Sequence, residues 1–337
     1  MRKLSFIGII LSVLWTGYWY GGSNLLQKTL TDLIAGEFGP EDPVQISHEG
    51  LKIQGFPGRF NAVLTNPSLT DTKNGILWNA AFMQVYAPSF KPYQITAIMA
   101  PRQILNLHGQ EFQVNSSGMK AVISFAFRDF LKAAVVVQTL DFRLENLDVF
   151  SSLGWKTTLK SANLAFHKTK ENPNNYNFDL LAKTITLPED LRILFDPQGL
   201  QPEFFETLSI DGTLGFSKPF DLTATRDQRP ELTEIRLDHL GLNWGPVKFT
   251  SQGVLKIDSE GYPDGTLNLT ATGWKKMFRL ARDSGLVDPE FAPTIQNSLS
   301  AMARMSDGDD VIKVPLNFSG GQMSLGIFPI GAAPRLK

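Results

Sequence analysis

The chain has four histidines, the residues that most often carry acid–base catalysis near neutral pH and that commonly bind zinc. They lie far apart, without a carboxylate or a second histidine at the spacing of a metal site: His48, His108, His167 and His239. Asp307, Asp309 and Asp310 suggest a calcium loop, but the glycine order and the closing glutamate of such a loop are missing. We therefore expect no catalytic histidine, no metal site and no cofactor.

Nucleophilic catalysis also lacks a candidate residue in this sequence. The chain contains no cysteine, which excludes thiolate chemistry, thiolate zinc sites and disulfide bonds. Ser23 and Ser117 lack the G-x-S-x-G context of a nucleophile elbow. We expect that the protein is not an enzyme, and a membrane-anchored hydrolase is the least favoured of three functions considered below.

The segment Gly55–Phe60 combines a proline, two glycines, two aromatic residues and the cation Arg59. One interpretation is a tight turn that joins two strands, because glycine and proline favour turns. The other is that Arg59 contacts an anionic head group of a ligand. Both interpretations are open from the sequence.

Composition narrows the possible partners. The chain has 337 residues, of which 42% are hydrophobic and 19% charged, and its net charge of −1 gives no reason to expect a nucleic-acid partner. Phenylalanine is abundant (24) and tyrosine scarce (6). Phenylalanine has no polar tip and favours dry surroundings. The excess indicates either a phenylalanine-rich core or a lined apolar groove.

The N-terminus carries a membrane signal. Arg2 and Lys3 precede an uncharged run from Leu4 to Tyr20, which as a helix would reach about 25 Å, slightly short of the roughly 30 Å hydrocarbon core. Four aromatic residues near its end are typical of a membrane interface: Trp15, Tyr18, Trp19 and Tyr20. The pattern predicts a transmembrane anchor over residues 1–22, with a cytoplasmic N-terminus and a periplasmic body at the inner membrane.

A cleaved signal peptide is the alternative, with Gly21-Gly22-Ser23 as the nearest substitute for a cleavage site. On either reading the body is exported to the periplasm. Residues 23–39 then show apolar residues near helical spacing, which predicts an amphipathic helix ended by Gly39-Pro40. This helix would dock on the body or lie on the bilayer surface.

The remaining body, residues 44–337, alternates apolar and polar residues with period two. Clear examples lie in 134–144, 208–216, 247–257 and 266–272. The pattern predicts a mainly β fold with roughly twelve to sixteen short strands in an antiparallel sheet. Two helical stretches interrupt it, at 188–205 and 274–305, and the second is a C-terminal helical insertion.

Two segments of the body resemble each other. Leu51–Gly58 and Leu255–Pro263 both place Leu-Lys-Ile before Gly-aromatic-Pro. This echo favours two similar halves with a boundary near residues 172–185.

The residues that follow the first helix carry a family resemblance. Gly55-Phe56-Pro57-x-Arg59-Phe60, Trp78 and Pro88 in Ala87-Pro88-x-x-x-Pro92 resemble the DUF2125 family of α-proteobacteria, over nearly the whole chain. The family is distantly similar to AsmA-like envelope proteins. The resemblance implies no catalytic residues. It implies an inner-membrane-anchored protein whose extended, curved sheet surrounds an apolar groove and which is linked to phospholipid or envelope transport.

These observations predict a membrane-anchored periplasmic protein that holds or passes lipid acyl chains for envelope maintenance. The expected partners are the lipid bilayer, a phospholipid and envelope proteins. The alternative is a scaffold of the envelope whose sheet is fully packed. The period-two alternation assigns five residues to the inward face of the groove: Val136, Leu140, Phe142, Phe249 and Leu255.

Overall fold

The computed structural model describes residues 2–39, 42–129, 134–220, 230–285, 287–304, 306, 310–326 and 328–336. The helices in these residues are α1 (Arg2–Glu37), α2 (Glu189–Phe195), α3 (Trp274–Asp283) and α4 (Ala292–Arg304). The strands are β1 (Val44–Ser47), β2 (Gly50–Gln54), β3 (Arg59–Thr65), β4 (Ser68–Asp71), β5 (Ile76–Ala80), β6 (Phe82–Pro88), β7 (Gln94–Met99), β8 (Arg102–Leu107), β9 (Gln110–Asn115), β10 (Gly118–Asp129), β11 (Ala134–Ser151), β12 (Lys156–Lys168), β13 (Asn175–Thr186), β14 (Phe204–Phe216), β15 (Leu232–Trp244), β16 (Val247–Ile257), β17 (Pro263–Thr272), β18 (Val311–Ser319), β19 (Gln322–Leu325) and β20 (Phe328–Ala332).

The mainly β fold and its antiparallel pairing are confirmed. The strands form a 20-stranded antiparallel sheet. Several strands are longer than the alternating runs suggested, and β11 reaches 18 residues. The helix predicted at 188–205 is shorter than expected, because it ends at Phe195 and Phe204 already begins β14. The predicted C-terminal helical insertion corresponds to α3 and α4.

The chain divides into two compact units. Unit 1 contains residues 1–125 and 142–154, and unit 2 contains residues 126–141 and 155–337. The boundary predicted near residues 172–185 does not coincide with this division, since most of it lies within β13 of unit 2. The two similar segments do share one local feature: each runs from a strand into a hairpin turn through a glycine with positive φ, Gly55 or Gly261.

Unit 1 is a meander of long strands that are each broken in the middle. One set of pairings joins β1, β4, β5, β8 and β9, and a second set joins β2, β3, β6, β7 and β10. The breaks fall at residues 48–49, 66–67, 81, 100–101 and 116–117. They lie side by side, because the Asn66 amide donates to the Ala81 carbonyl at 2.9 Å and the Ser116 amide donates to the Pro101 carbonyl at 2.8 Å.

Proline helps to explain these breaks. Pro67 and Pro101 each occupy a break, and proline cannot donate to a strand ladder. The hairpin turns of unit 1 lie alternately at the two ends of these broken strands. The β2–β3 and β6–β7 turns lie at one end, and the β4–β5 and β8–β9 turns lie at the other.

Unit 2 is a simple antiparallel meander in which β12 to β20 pair in chain order. On one face of this sheet, a cross-strand row runs through Phe166, Phe178, Gly212, Leu237, Gly253, Leu267 and Leu316. In β16 the predicted parity is confirmed, because Val247, Leu255 and Ile257 are buried while their even-numbered neighbours are exposed.

Helices and the C-terminal segment cover parts of this face. A cluster of Trp274, Phe278, Ala292, Ala303 and Ile312 packs α3 and α4 on β18. A second cluster joins Leu255 and Phe318 to Ala333 near the end of the chain. Burial of such apolar side chains is the main stabilising contribution to a sheet of this kind.

The N-terminal helix differs from the prediction. Helix α1 continues without a break from Arg2 to Glu37, so the expected anchor (1–22) and amphipathic helix (23–39) are one element. Among the described residues there is no helix of sufficient length and apolarity to cross a membrane. The aromatic residues near the end of the predicted anchor (1–22) also contact the rest of the protein, since Trp15, Tyr18 and Trp19 each bond to a backbone carbonyl.

Candidate apolar ligand site

Helix α1 docks on the sheet of unit 1 through three aromatic side chains. The indole N–H of Trp15 donates to the Pro57 carbonyl at 3.1 Å, and that of Trp19 donates to the Arg59 carbonyl at 2.8 Å. The Tyr18 hydroxyl donates to the Ser89 carbonyl at 3.1 Å. These residues were predicted to mark a membrane interface. In the structure, the hydrogen bonds from their polar atoms hold the helix on the β2–β3 and β6–β7 turns.

The β2–β3 turn has the tight geometry that its glycines and proline indicated. Gly55 has φ of 104°, which a residue with a side chain adopts only with strain. A Cβ atom at Gly55 would also lie 2.7 Å from Cγ of Arg59 and 2.9 Å from its carbonyl oxygen. The Arg59 amide donates to the Gly55 carbonyl at 3.1 Å and closes the turn. The Phe56–Pro57 peptide bond is cis.

An apolar cavity of about 400 Å³ lies between α1 and the sheet of unit 1, and we call it the helix cavity. Its size is within the usual range of small-molecule sites, and apolar linings are typical of them. The helix contributes Leu25, Leu26 and Leu30 among others. The sheet wall contains Phe60, Ala62, Val85, Ala87, Pro92 and Ile95.

The pleat of β3 decides which side chains reach the helix cavity. Phe60 and Ala62 face the helix, and their cross-strand partners Ala87 and Val85 do so too. Arg59 belongs to the opposite parity, where its guanidinium carbon lies 5.2 Å from the ring centre of Tyr86. Arg59 is not among the lining residues of this cavity, although Tyr86 is. A head-group contact of Arg59 stays a prediction.

The remaining motif residues have packing roles. The Trp78 indole N–H donates to Oε1 of the buried Gln103 at 2.9 Å across β5 and β8. Pro88 ends β6, and its carbonyl accepts from the Lys91 amide at 2.9 Å in the β6–β7 turn. Most motif residues thus lie where α1 docks, and Trp78 lies elsewhere in unit 1. The residues at the docking region are Gly55, Phe56, Pro57, Arg59, Phe60 and Pro88.

A second apolar cavity, of about 320 Å³, lies in unit 2 between α3 and the ends of β14 to β16, and we call it the tryptophan pocket. It includes Phe205, Trp244 and Leu280, and the rings of Phe205 and Trp244 are 4.9 Å apart. Phe249, one of the five predicted groove residues, lines this pocket. Phe249 is therefore a predicted groove residue that does line an observed cavity, the tryptophan pocket.

The other predicted groove residues do not line either cavity. Val136 and Leu255 are only 2% and 6% exposed, so they are packed interior residues. Leu140 and Phe142 are half-buried, and the division between the units falls between them. The structure thus does not bring the five residues together around one described groove.

Within the described residues, strand pairing brings together a histidine and a carboxylate that the sequence analysis did not connect. His167 Nε2 lies 3.1 Å from Oδ1 of Asp141, and both side chains are about half exposed. The two residues are 26 positions apart, so only the pairing of strands could reveal them. Within the described residues there is no group of three or more potential metal-ligating side chains. Asp307 and Asp309 lie outside the described residues.

A buried tyrosine anchors the aromatic core of unit 2. Tyr176 is fully buried, and its ring stacks on Phe166 at 4.6 Å between centroids. Its hydroxyl donates to the Val137 carbonyl at 3.3 Å and accepts from the Phe220 amide at 3.1 Å. Burial raises the pKa of Tyr176 above its ordinary value.

Comparison with known proteins gives one result. A family model described as "Uncharacterized protein conserved in bacteria (DUF2125)" matches residues 19–334. No curated protein and no solved structure matches the chain. The similarity to AsmA-like proteins and the α-proteobacterial origin stay predictions. Because the match spans nearly the whole sequence, the chain belongs to the DUF2125 family.

Proposed function

We propose that this protein binds one long apolar chain, such as the acyl chain of a lipid, in the helix cavity. The observation that carries the proposal is the cavity of about 400 Å³ with a nearly continuous apolar lining. Each CH₂ group that enters such a site gains about 0.8 kcal/mol from burial. An aliphatic chain therefore matches this cavity better than a polar metabolite does.

The polar groups at the cavity support the same assignment. The Tyr18 hydroxyl is already bonded to the Ser89 carbonyl, so its ring contributes apolar surface to the lining. Gly22 leaves space for the Phe60 ring, because a Cβ atom there would lie 2.9 Å from Cζ of Phe60. We propose binding rather than catalysis, since the lining offers apolar contact in place of convergent ionisable groups.

For unit 2 a specific observation favours the second candidate, a packed scaffold. Val136 and Leu255 are buried, and helices and the C-terminal segment cover parts of the sheet face. A buried apolar face of this kind stabilises the fold and leaves less room for a ligand. Exposure of the protein to lipid in the cell envelope, at the inner membrane, stays a prediction.

A binding assay with a fluorescent fatty acid tests the proposal. Ala87→Phe places a ring in the helix cavity, and we expect at least about a ten-fold loss of affinity. The matched control is Ala281→Phe, which fills the tryptophan pocket and should leave this binding unchanged.

Overpacking can destabilise a fold by about 1–3 kcal/mol, so thermal melts accompany both variants. Leu26→Trp fills the same cavity from the helix side and provides an independent check. Binding that survives both cavity-filling substitutions in folded protein would contradict the proposal. Loss in Ala281→Phe alone would move the site to the tryptophan pocket.

A further inference from the structure

Three separate segments of unit 1 bring exposed aromatic rings to one place, which we call the aromatic rim. They are the docked part of α1 and the β2–β3 and β6–β7 turns. The turns are bonded to each other, because the Ser89 amide donates to the Gly58 carbonyl at 3.0 Å and its hydroxyl donates to the Pro57 carbonyl at 3.2 Å. The exposed rings of the rim are Trp15, Tyr18, Tyr20, Phe56, Phe90 and Tyr93.

The rim is continued by an apolar stretch of helix. Between residues 9 and 14, α1 exposes large aliphatic side chains: Ile9, Ile10, Leu11, Val13 and Leu14. Exposed fractions there reach 61% for Leu11 and 66% for Val13. Soluble surfaces carry single exposed apolar residues, but a contiguous group of this kind marks an interaction surface.

Charge and ring chemistry identify the partner. Residues 9–20, 55–60 and 88–94 contain no aspartate or glutamate, while the turns contribute the exposed cations Arg59 and Lys91. Tryptophan and tyrosine combine an apolar body with a polar tip, which suits the boundary between water and hydrocarbon. Basic residues at that level are attracted to anionic head groups.

We propose that the aromatic rim docks on the surface of an anionic lipid bilayer, with residues 9–14 of α1 and Phe90 inserted into its interface. Insertion at the interface requires no helix that crosses the membrane. The rim shares Tyr18 with the helix cavity, but vesicle binding and fatty-acid binding are measured separately, so each proposal can fail without the other.

The chain has no cysteine, so single-cysteine labelling is straightforward. An environment-sensitive fluorophore is attached at Phe90→Cys and, as the control, at Leu153→Cys, where the native side chain is 73% exposed. Leu153 lies at the other end of the broken strands of unit 1, beside the start of β9. The full chain is then mixed with vesicles of equal parts phosphatidylcholine and phosphatidylglycerol.

We expect a blue shift of the label at Phe90→Cys and none at Leu153→Cys, together with flotation of the protein. Lys91→Gln should weaken partitioning about five-fold on these vesicles and have little effect on pure phosphatidylcholine. Flotation with a water-exposed label at Phe90→Cys would show attachment by the helix alone and overturn the proposal. Absence of flotation, equal shifts at both sites, or self-association that buries the label without vesicles would overturn it too.

Discussion

The Trp19 side chain both stacks on Phe60 and bonds to the backbone of the residue before it. The two rings are nearly parallel, at 11° and 5.9 Å between centroids, and the indole N–H donates to the Arg59 carbonyl at 2.8 Å. Trp19 is only 5% exposed. Together with Trp15 and Tyr18, Trp19 holds α1 over β3 and thereby shapes the helix cavity beside it.

Replacing Trp19 should undock the helix. We expect Trp19→Ala to lower the free energy of unfolding by about 3–5 kcal/mol, because it removes a buried ring. Trp19→Phe keeps a ring and loses one hydrogen bond, so about 0.5–1.5 kcal/mol is expected. Urea denaturation measures both values. Leu11→Ala, at a 61% exposed position of the same helix, should change the value by less than about 0.5 kcal/mol. A loss in Trp19→Ala no larger than in Leu11→Ala would contradict the docking account.

The two glycines of the β2–β3 turn should respond differently to valine. Gly55→Val should destabilise the protein by about 1–3 kcal/mol, because valine is strained at positive φ and would meet Arg59. Gly58→Val is the control, since a Cβ atom at Gly58 has no neighbour within 4 Å. Equal melting temperatures for the two variants would mean that Gly55 is not conformationally required.

Arg59 should contribute little to stability. Its side chain is exposed and lies over the Tyr86 ring, so Arg59→Ala should cost about 0.5–1 kcal/mol, the usual value of an exposed cation–π contact. It should also leave fatty-acid binding unchanged, because Arg59 is not among the lining residues of the helix cavity. A marked loss of binding in a folded Arg59→Ala protein would restore the head-group interpretation.

Tyr176 should make stability depend on alkaline pH. Burial raises the pKa of its phenol above the ordinary 10.0, so the folded state favours the neutral form. The resulting stability is fully present below pH 10.0 and is lost as pH rises through the raised pKa. Tyr176→Phe should cost about 1–3 kcal/mol at neutral pH, since the Phe220 amide loses its acceptor.

The pH measurement compares urea denaturation of the wild type and of Tyr176→Phe from neutral to alkaline pH. The variant should show the weaker alkaline loss. Tyr93→Phe, at an exposed tyrosine, is the control and should follow the wild type. Identical slopes for wild type and Tyr176→Phe would mean that another group controls the alkaline transition.

Period-two alternation was sufficient to predict the antiparallel β body and the buried parity of β16. Periodicity could not predict the aligned breaks of unit 1, because they depend on hydrogen bonds between strands, such as that from Asn66 to Ala81. Hydropathy could likewise not predict that the indole N–H groups of Trp15 and Trp19 bond to backbone carbonyls far along the chain.

The helix cavity was less predictable still. Its walls come from α1 and from three strands, and the residues that face inward are set by the register of β3 with β6. The sequence did direct attention to Gly55–Phe60, but to Arg59 rather than Phe60. A one-residue difference along a strand reverses the face. The alternation in β11 assigned Val136 to the inward face, but it could not distinguish an open groove from the packed interior in which Val136 lies.

Photo-crosslinking with a diazirine fatty acid, followed by peptide mapping, tests the central claim most directly. The account predicts adducts on α1 within residues 18–30 and on the facing strands β3 and β6, and their loss in Ala87→Phe. Unlabelled fatty acid should compete for the same adducts. Adducts confined to unit 2, or no saturable adduct in folded full-length protein, would contradict the claim that the helix cavity binds an apolar chain.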